Sequence, residues 1–570
     1  MKLTAYNETC EVVYGRDEKL GTRLTAFLLR VSGRKGFARN GLGYWFETTQ
    51  RNIEHWLELF PECEFDDQRN RSRVNQAREV LVMPKAPRPA FSIVHEQYEF
   101  QKRGFAKLKD LFVSAMFMGT GTGKTKMSID KTVYLWCDHK IDGLLVMTKK
   151  GVHEQWIDEQ LPAHVPENVP YRAHAWAGMT TKWEQKSFDK MLEAKNVLKV
   201  FAINIDGVWT KKGFAAIEKF LDALDNHVYG LVDESQDIAD PETKRGEHLL
   251  KIRDAIEYRS ILSGTPISTN LENVWGQFFY LDPDIIGHKY KSAFRAEYCN
   301  MVDNGFGGQK VQSHKNLTQF YKRIDPFTFR ATKEEDLDLP PKVYKRDTFK
   351  MTDKQRKVYD DLREDFVAKL ANGKVATVDT AAVMVMRLQQ ITCGFIVDED
   401  GTVNYLDNPR LDRAVELDEE IGKHEKKIFW CRFKEDYLAL KKAFGSRAVD
   451  YVGSTSDADR KRNKELFLNK NSGKDIFISN PAAGGTGLNL QGECAYAIYY
   501  SNSFKAVDRW QSEDRIHRIG THKTTFFIDL VASRSVDLRI LANLKAKKEF
   551  SDLVLDDIRK MFDPYYAEAA

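Results

Sequence analysis

The sequence predicts an α/β protein: two parallel-sheet lobes, a helical insertion between them, and a small N-terminal α+β domain. Three observations carry this. From about residue 95, short apolar runs recur at Ala115–Met118, Gly143–Met147, Lys199–Ile205, Tyr229–Val232 and Ser260–Leu262, with helix-like material between them. Such alternation marks strands joined by crossover helices, and hence a parallel sheet. The alternation resumes at Lys427–Cys431, Ala448–Val452, Asp475–Ser479, Ala497–Tyr500 and Thr525–Val531. Residues 286–400 lack strong strand runs and show helical patterns instead, as at Asp353–Leu370 and Thr380–Ile391.

The elements follow in order. Residues 1–72 read as the N-terminal α+β domain, with strand-like runs at Cys10–Tyr14 and Gly43–Thr48 and helices at Leu20–Arg30 and Thr49–Phe60. Residues 73–94 read as a linker, because the prolines in Met83–Ala90 favour extended backbone. Residues 95–285 form the first lobe, 286–400 the insertion and 401–540 the second lobe. A helix over Ser535–Met561 closes the chain, with 541–570 set apart as a C-terminal helix.

Composition narrows the function classes. With 42% hydrophobic and 30% charged residues, the 570-residue chain fits a globular protein rather than a disordered one. A net charge of +4 neither requires nor excludes a basic path for nucleic acid. The seven cysteines are dispersed without a Cys-x-x-Cys pair, which argues against a zinc ribbon and a disulfide framework. The first residues lack the apolar core of a signal peptide, and no apolar stretch is long enough to span a bilayer. The expected location is the cytoplasm, with a bacterial or phage-infected host expected.

The firmest motif is Gly119-Thr120-Gly121-Thr122-Gly123-Lys124-Thr125. It follows an apolar run and precedes the helix-like stretch Lys124–Tyr134, the strand–turn–helix context of a phosphate-binding loop. Glycines let backbone N–H groups converge on phosphate oxygens, and the helix N-terminus adds positive potential. Lys124 is expected to neutralise β/γ-phosphate charge and Thr125 to place its hydroxyl on Mg²⁺. The strict pattern asks for glycine where Met118 stands.

Downstream, Leu231-Val-Asp-Glu-Ser-Gln236 ends an apolar run in two carboxylates. Alone, such a pair often only caps a helix. After a phosphate loop in the same lobe, Asp233 is expected to hold Mg²⁺ and Glu234 to orient and deprotonate the attacking water. Ser263-Gly-Thr-Pro266 follows another strand, where small hydroxyls can sense the γ-phosphate.

In the second lobe, the glycine-rich segment Asn480–Asn489 permits close backbone approach to nucleic acid or nucleotide. Gly485 and Thr486 are taken as nucleic-acid contacts and Gly487 as a nucleotide contact. In Asp508–Gly520, Gln511, Arg515 and Arg518 have helical spacing and are expected on one face. Gln511 would touch nucleotide; Arg515 and Arg518 would act as arginine fingers on the transferring phosphoryl group.

Together these segments resemble the Swi/Snf family of superfamily-two helicase-like ATPases over roughly residues 95–540. Tyr98-Glu-Phe-Gln-Lys-Arg-Gly104 is similar to the family's Tyr-Gln-x-x-Gly segment, which implies that Gln101 contacts adenine. Leu145–Lys150 with Glu154-Gln-Trp156 resembles the next motif, implying nucleic-acid contact through Thr148, Lys149 and Trp156. Asn270–Asp284, Phe329–Glu335, Met351–Tyr359 and Met386–Ile391 resemble the segments around the family's helical protrusions. The resemblance implies two RecA-like lobes. Departures include Gln236 in place of a histidine and Thr521 after Arg-Ile-Gly. In the N-terminal domain, Arg34–Phe37 and Gly43–Glu47 faintly resemble the HepA-related module of annealing helicases, which implies stacking of Tyr44 and Trp45 on DNA.

The expected function is a DNA-dependent ATPase that uses ATP and Mg²⁺ to translocate on duplex, forked or branched DNA, working as a monomer. One alternative is a helicase that separates RNA or DNA strands. Another, from a different class, is a DNA-binding scaffold with a degenerate ATP site; Lys124, Thr125, Asp233, Glu234, Arg515 and Arg518 together speak against it.

Overall fold

A computed structural model describes residues 2–6, 9–13, 35–37, 43–47, 53, 56, 57, 64 and 65. Between 86 and 546 it describes all but 265–270, 304–308, 338, 372–377, 399 and 482–487. The chain divides into two compact units, Met1–Gly119 with Gly123–Ala331, and Thr120–Thr122 with Thr332–Ala570.

The first unit opens with a five-stranded sheet: β1 (Lys2–Tyr6), β2 (Thr9–Val13), β3 (Lys35–Phe37), β4 (Gly43–Glu47) and β5 (Glu64–Phe65), in the order β3-β4-β2-β1-β5. Its pairs are antiparallel except β1 with β5. β2 and β4 correspond to the two expected strand runs. β1, β3 and β5 are short or polar, and apolar patterning does not reveal them. The expected helix Leu20–Arg30 lies outside the described residues.

The larger sheet of this unit has seven strands: β6 (Val113–Met118), β7 (Gly143–Thr148), β8 (Tyr171–Ala175), β9 (Leu198–Asn204), β10 (Val228–Asp233), β11 (Tyr258–Ser263) and, after an antiparallel ribbon of β12 (Cys299–Asp303) and β13 (Gln309–His314), β14 (Thr328–Ala331). The order is β14-β6-β11-β10-β7-β9-β8 and every pair is parallel. β6, β7 and β11 are buried along their whole length, and β6 and β7 are mostly apolar. Ile217 and Phe220 of helix Lys211–Asp222, and Trp275 and Phe278 of helix Glu272–Leu281, belong to the same buried core as Leu145, Phe201 and Ile261.

The second unit holds β15 (Lys342–Phe349), the short antiparallel pair β16 (Phe395–Val397) and β17 (Val403–Tyr405), then β18 (Lys426–Trp430), β19 (Ala448–Tyr451), β20 (Ile476–Ser479), β21 (Cys494–Tyr499) and β22 (Thr525–Ala532). β15 and β18–β22 form a parallel six-stranded sheet in the order β15-β22-β21-β18-β20-β19. Helices Asp353–Ala371 and Val378–Thr392 supply Tyr359, Val385, Leu388 and Ile391 to a core shared with Val536 and Ile540 of helix Val536–Ala546. The expected continuation of that last helix to Met561 lies outside the described residues.

The fold class is therefore α/β with two parallel-sheet lobes. Residues 286–400, read as a helical insertion without strong strand runs, also carry strands: β14 joins the first sheet and β15 the second. Both are edge strands. β15 is largely exposed and reads Lys-Val-Tyr-Lys-Arg-Asp-Thr-Phe, with the charges that edges carry and none of the apolar continuity of a central strand. No helix among the described residues is long and apolar enough to cross a membrane.

Candidate active site

All strands of the seven-stranded sheet run parallel, so the turns after β6, β7, β10 and β11 leave from one edge. The carboxyl edge of a parallel sheet is where such folds bind ligands. The expected site residues of the first unit sit on those turns.

After β6 the backbone turns through Gly121 (φ 79°) and Gly123 (φ 89°), left-handed positions that favour glycine. Helix Lys124–Cys137 starts at once, with Gly123 as its N-cap. Lys124 is 8% exposed, and its Nζ donates to the carbonyl oxygens of Met118 at 2.9 Å and Gly119 at 3.5 Å. This explains how methionine stands where the strict pattern has glycine: the Met118 side chain is in the core, and the loop uses only its carbonyl. Thr125 is the second residue of the helix, and Thr122 is fully buried. Gln101, on helix Glu99–Leu108, reaches this loop. Its Oε1 accepts from the Tyr98 N–H at 3.1 Å, and its Nε2 lies 2.4 Å from where a Cβ on Gly123 would be. Gly104, a turn later, packs on the Phe329 ring of β14, which a Cβ would meet at 2.6 Å. Two segments singled out separately in the sequence thus meet.

At the end of β10, Asp233 is partly buried, and its carboxyl is raised above the ordinary carboxylate range. Loss of solvation is the main cause and Glu234 the next; Lys124 and a hydrogen bond from Trp156 act in the opposite direction. Thr148 Oγ1 approaches Asp233 Oδ2 at 3.5 Å, and the Glu234 N–H donates to Oδ1 at 3.1 Å. Glu234 has φ 57° and ψ 53°, a left-handed conformation that a side-chain-bearing residue holds at a cost of about 1–3 kcal/mol. Its carboxylate is held by Gln236, whose Nε2 donates to Oε2 at 2.5 Å; Gln236 Oε1 in turn accepts from Ser263 Oγ at 2.7 Å. The last residue of β11 is thereby linked through one amide to Glu234.

Thr148 and Trp156, expected at nucleic acid, are each 1% exposed and engage Asp233, whereas Lys149 is partly exposed. Trp156 opens a π-helical turn, Trp156–Gln160, an irregularity frequent at functional sites. Sequence reasoning missed the Thr148–Asp233 and Trp156–Asp233 contacts and the bridging role of Gln236. Gln236 stood out only as a departure from the family pattern.

In the second unit, Gln511 lies on helix Ala506–Glu513, but Arg515 and Arg518 follow it in turns. A single helical face over 511–518 is not formed. Arg515 Nε takes the Gln511 carbonyl at 2.9 Å and its Nη1 takes that of Leu488 at 3.1 Å. The Arg515 carbonyl accepts from the Leu490 N–H at 3.0 Å, drawing the backbone off the helix. Arg518 bonds Asn489 through Nη1, and loss of solvation and then Arg515 lower its guanidinium to about 10. Gly485, Thr486 and Gly487 lie outside the described residues. For Tyr44 and Trp45, only their place in β4 is described.

The model of the SNF2-related domain matches residues 110–395, just over half of the chain. The chain belongs to the SNF2-related domain family. Lys124, Asp233 and Glu234 lie inside the SNF2-matched stretch; Gln101, Arg515 and Arg518 lie outside it. Similar proteins include an ATP-dependent helicase of Mycoplasma genitalium, 22% identical over 59% of this chain and 32% of the relative. A subunit of the chromatin structure-remodelling complex of Schizosaccharomyces pombe is 25% identical over 58% and 29%. A human SWI/SNF-related regulator of chromatin is 24% identical over 58% and 32%. The chain thus spans about a third of the length of the curated relatives it matches. The SWI2/SNF2 ATPase core of Sulfolobus solfataricus, solved with double-stranded DNA, aligns with 85% of this chain and 97% of its own at 18% identity, with a TM-score of 0.36.

Proposed function

We propose that this SNF2-family chain hydrolyses ATP with Mg²⁺ and uses the cycle to translocate on duplex or branched DNA. The observation that carries the ATPase reading is the Asp233–Glu234 pair at the carboxyl edge of the first sheet. Asp233 is ringed by Thr148, Trp156 and the influence of Lys124, and Glu234 is oriented by Gln236.

The donors fit the ion. Asp233 offers a carboxylate whose ionisation is held back by poor solvation and by Glu234, a setting that a divalent cation relieves. With the Thr125 hydroxyl it makes an all-oxygen, hard donor set. Held by Asp233 and Thr125, Mg²⁺ would supply charge neutralisation for the β- and γ-phosphates. The chain's own groups do the rest. Backbone N–H groups of Gly119–Thr125 and the Lys124 ammonium cradle the phosphates, and Gln101 contacts adenine. Glu234 orients the attacking water and takes its proton. Arg515 and Arg518 stabilise charge on the transferring phosphoryl group, with Gln511 and Gly487 as further nucleotide contacts.

The DNA part of the reading is supported by the motif resemblance and by relatives named for chromatin remodelling. Lys149, Gly485 and Thr486, with Tyr44 and Trp45 of the N-terminal sheet, are assigned to nucleic acid. The test is displacement of a third strand from a triplex on duplex DNA. ATP-dependent displacement that ceases with Lys124→Ala supports translocation; ATP hydrolysis without displacement on any duplex refutes it. Repeating the assay on forked DNA without residues 1–90 asks whether the N-terminal region selects DNA structure.

A further inference from the structure

Lys333 stands near the start of the long stretch of the second unit, Thr332–Ala570. It is 7% exposed. Its Nζ donates to the His517 carbonyl at 2.6 Å and forms an ion pair with Asp514. Asp514 is the C-cap of helix Ala506–Glu513, so the ammonium also meets the negative end of that helix. Asp514 and His517 lie on the irregular turn that carries Arg515 and runs into Arg518.

That turn has other supports. His517 Nε2 bonds the Pro340 carbonyl at 2.8 Å, on the segment leading into β15. The Arg518 N–H donates to Thr521 Oγ1 at 3.0 Å, and Thr521 Oγ1 donates to the Ile516 carbonyl at 3.0 Å. Asn489 takes the guanidinium of Arg518. Residues 514–518 leave the regular helix, and these side-chain bonds hold their path together with backbone bonds such as His517 N–H to the Glu513 carbonyl at 3.1 Å. Lys333, like Arg515, brings a buried charge to the turn. A buried ammonium is unfavourable unless paired and hydrogen-bonded, and here it is both, in a geometry that specifies one backbone path.

We propose that Lys333 is a positioning residue for Arg518: through the Asp514 carboxylate and the His517 carbonyl it fixes the turn that aims the arginine. This rests on the reading of Arg518 as a stabiliser of phosphoryl transfer. Lys333 is lowered to about 8, by loss of solvation first, with Asp514 opposing and Lys342 and Arg518 adding to the shift. The positioning contact therefore weakens as pH rises through that value.

The experiment is steady-state ATP turnover by the full chain with duplex DNA, with thermal unfolding of each variant as a check on folding. Arg518→Ala loses about 10³-fold in kcat, as for an arginine finger. Lys333→Met loses about tenfold in kcat with KM for ATP changed less than about twofold, the pattern of an interaction made only in the transition state. Adding Lys333→Met to Arg518→Ala causes no further loss. Wild-type kcat declines above about pH 8, and Lys333→Arg, which keeps its charge, removes that decline. Should Lys333→Met not fold, Asp514→Asn and the Lys333→Arg pH profile decide. Full turnover by Lys333→Met, multiplying losses in the double variant, or an alkaline decline unchanged in Lys333→Arg overturns the proposal while Arg518 keeps its role. Full turnover by Arg518→Ala overturns the arginine reading itself, and the positioning role with it.

Discussion

Gln236 donates its side-chain amide to Glu234 Oε2 at 2.5 Å. The carboxylate expected to activate water is therefore held by a neutral, non-titrating donor, which Ser263 anchors from the neighbouring strand at 2.7 Å. A hydrogen bond to a charged group contributes about 1.5–3 kcal/mol. Gln236→Ala accordingly lowers kcat about ten- to hundredfold with little change in KM for ATP, measured as phosphate release. Gln236→Glu sets a second carboxylate against Glu234 and lowers it further.

Gly123→Ala is expected to damage nucleotide recognition. The new Cβ falls 2.4 Å from Gln101 Nε2, and the backbone stays at φ 89°. The left-handed strain costs about 1–3 kcal/mol, read as a lower melting temperature. Displacement of Gln101 reduces the preference for ATP over GTP in kcat/KM. Gln101→Ala shows the same loss of preference without the loss of stability.

Lys131 gives a pH signature in folding stability. It is 1% exposed, donates to the Leu111 carbonyl at 2.9 Å and Ser114 Oγ at 3.1 Å, and is lowered by loss of solvation to about 7. Between about 7 and the unfolded value of 10.5, the unfolded chain binds more protons than the folded one, so stability rises with pH across that window. Below about 7 the folded state carries the unfavourable buried charge. From about pH 6 to 9 wild type gains about 3 kcal/mol relative to Lys131→Met. Chemical denaturation of both proteins at the two pH values measures it; a constant difference would contradict it.

The central strands were legible because burial on both faces leaves apolar runs, as in Ala115–Met118 and Gly143–Met147. Edge strands β8, β14 and β15 were not, since one side faces solvent and their sequences mix charge with apolar residues. The phosphate loop was legible because backbone geometry demands glycines at fixed spacing. The partners of Asp233 were not: Thr148 lies 85 residues away and meets it only because β7 and β10 are neighbours, which the strand order decides. The turn at 514–518 misled for a local reason. Its spacing of charges fits a helix, yet Arg515 caps the Gln511 carbonyl and Leu490 takes the Arg515 carbonyl, so the helix stops at Glu513.

The most direct measurement is ATP turnover with and without duplex DNA, for wild type and Glu234→Gln. The site described here predicts hydrolysis stimulated by duplex and reduced about 10²–10⁴-fold by Glu234→Gln, while ATP binding persists. Unchanged turnover in Glu234→Gln, or no hydrolysis by wild type with any DNA, would contradict it.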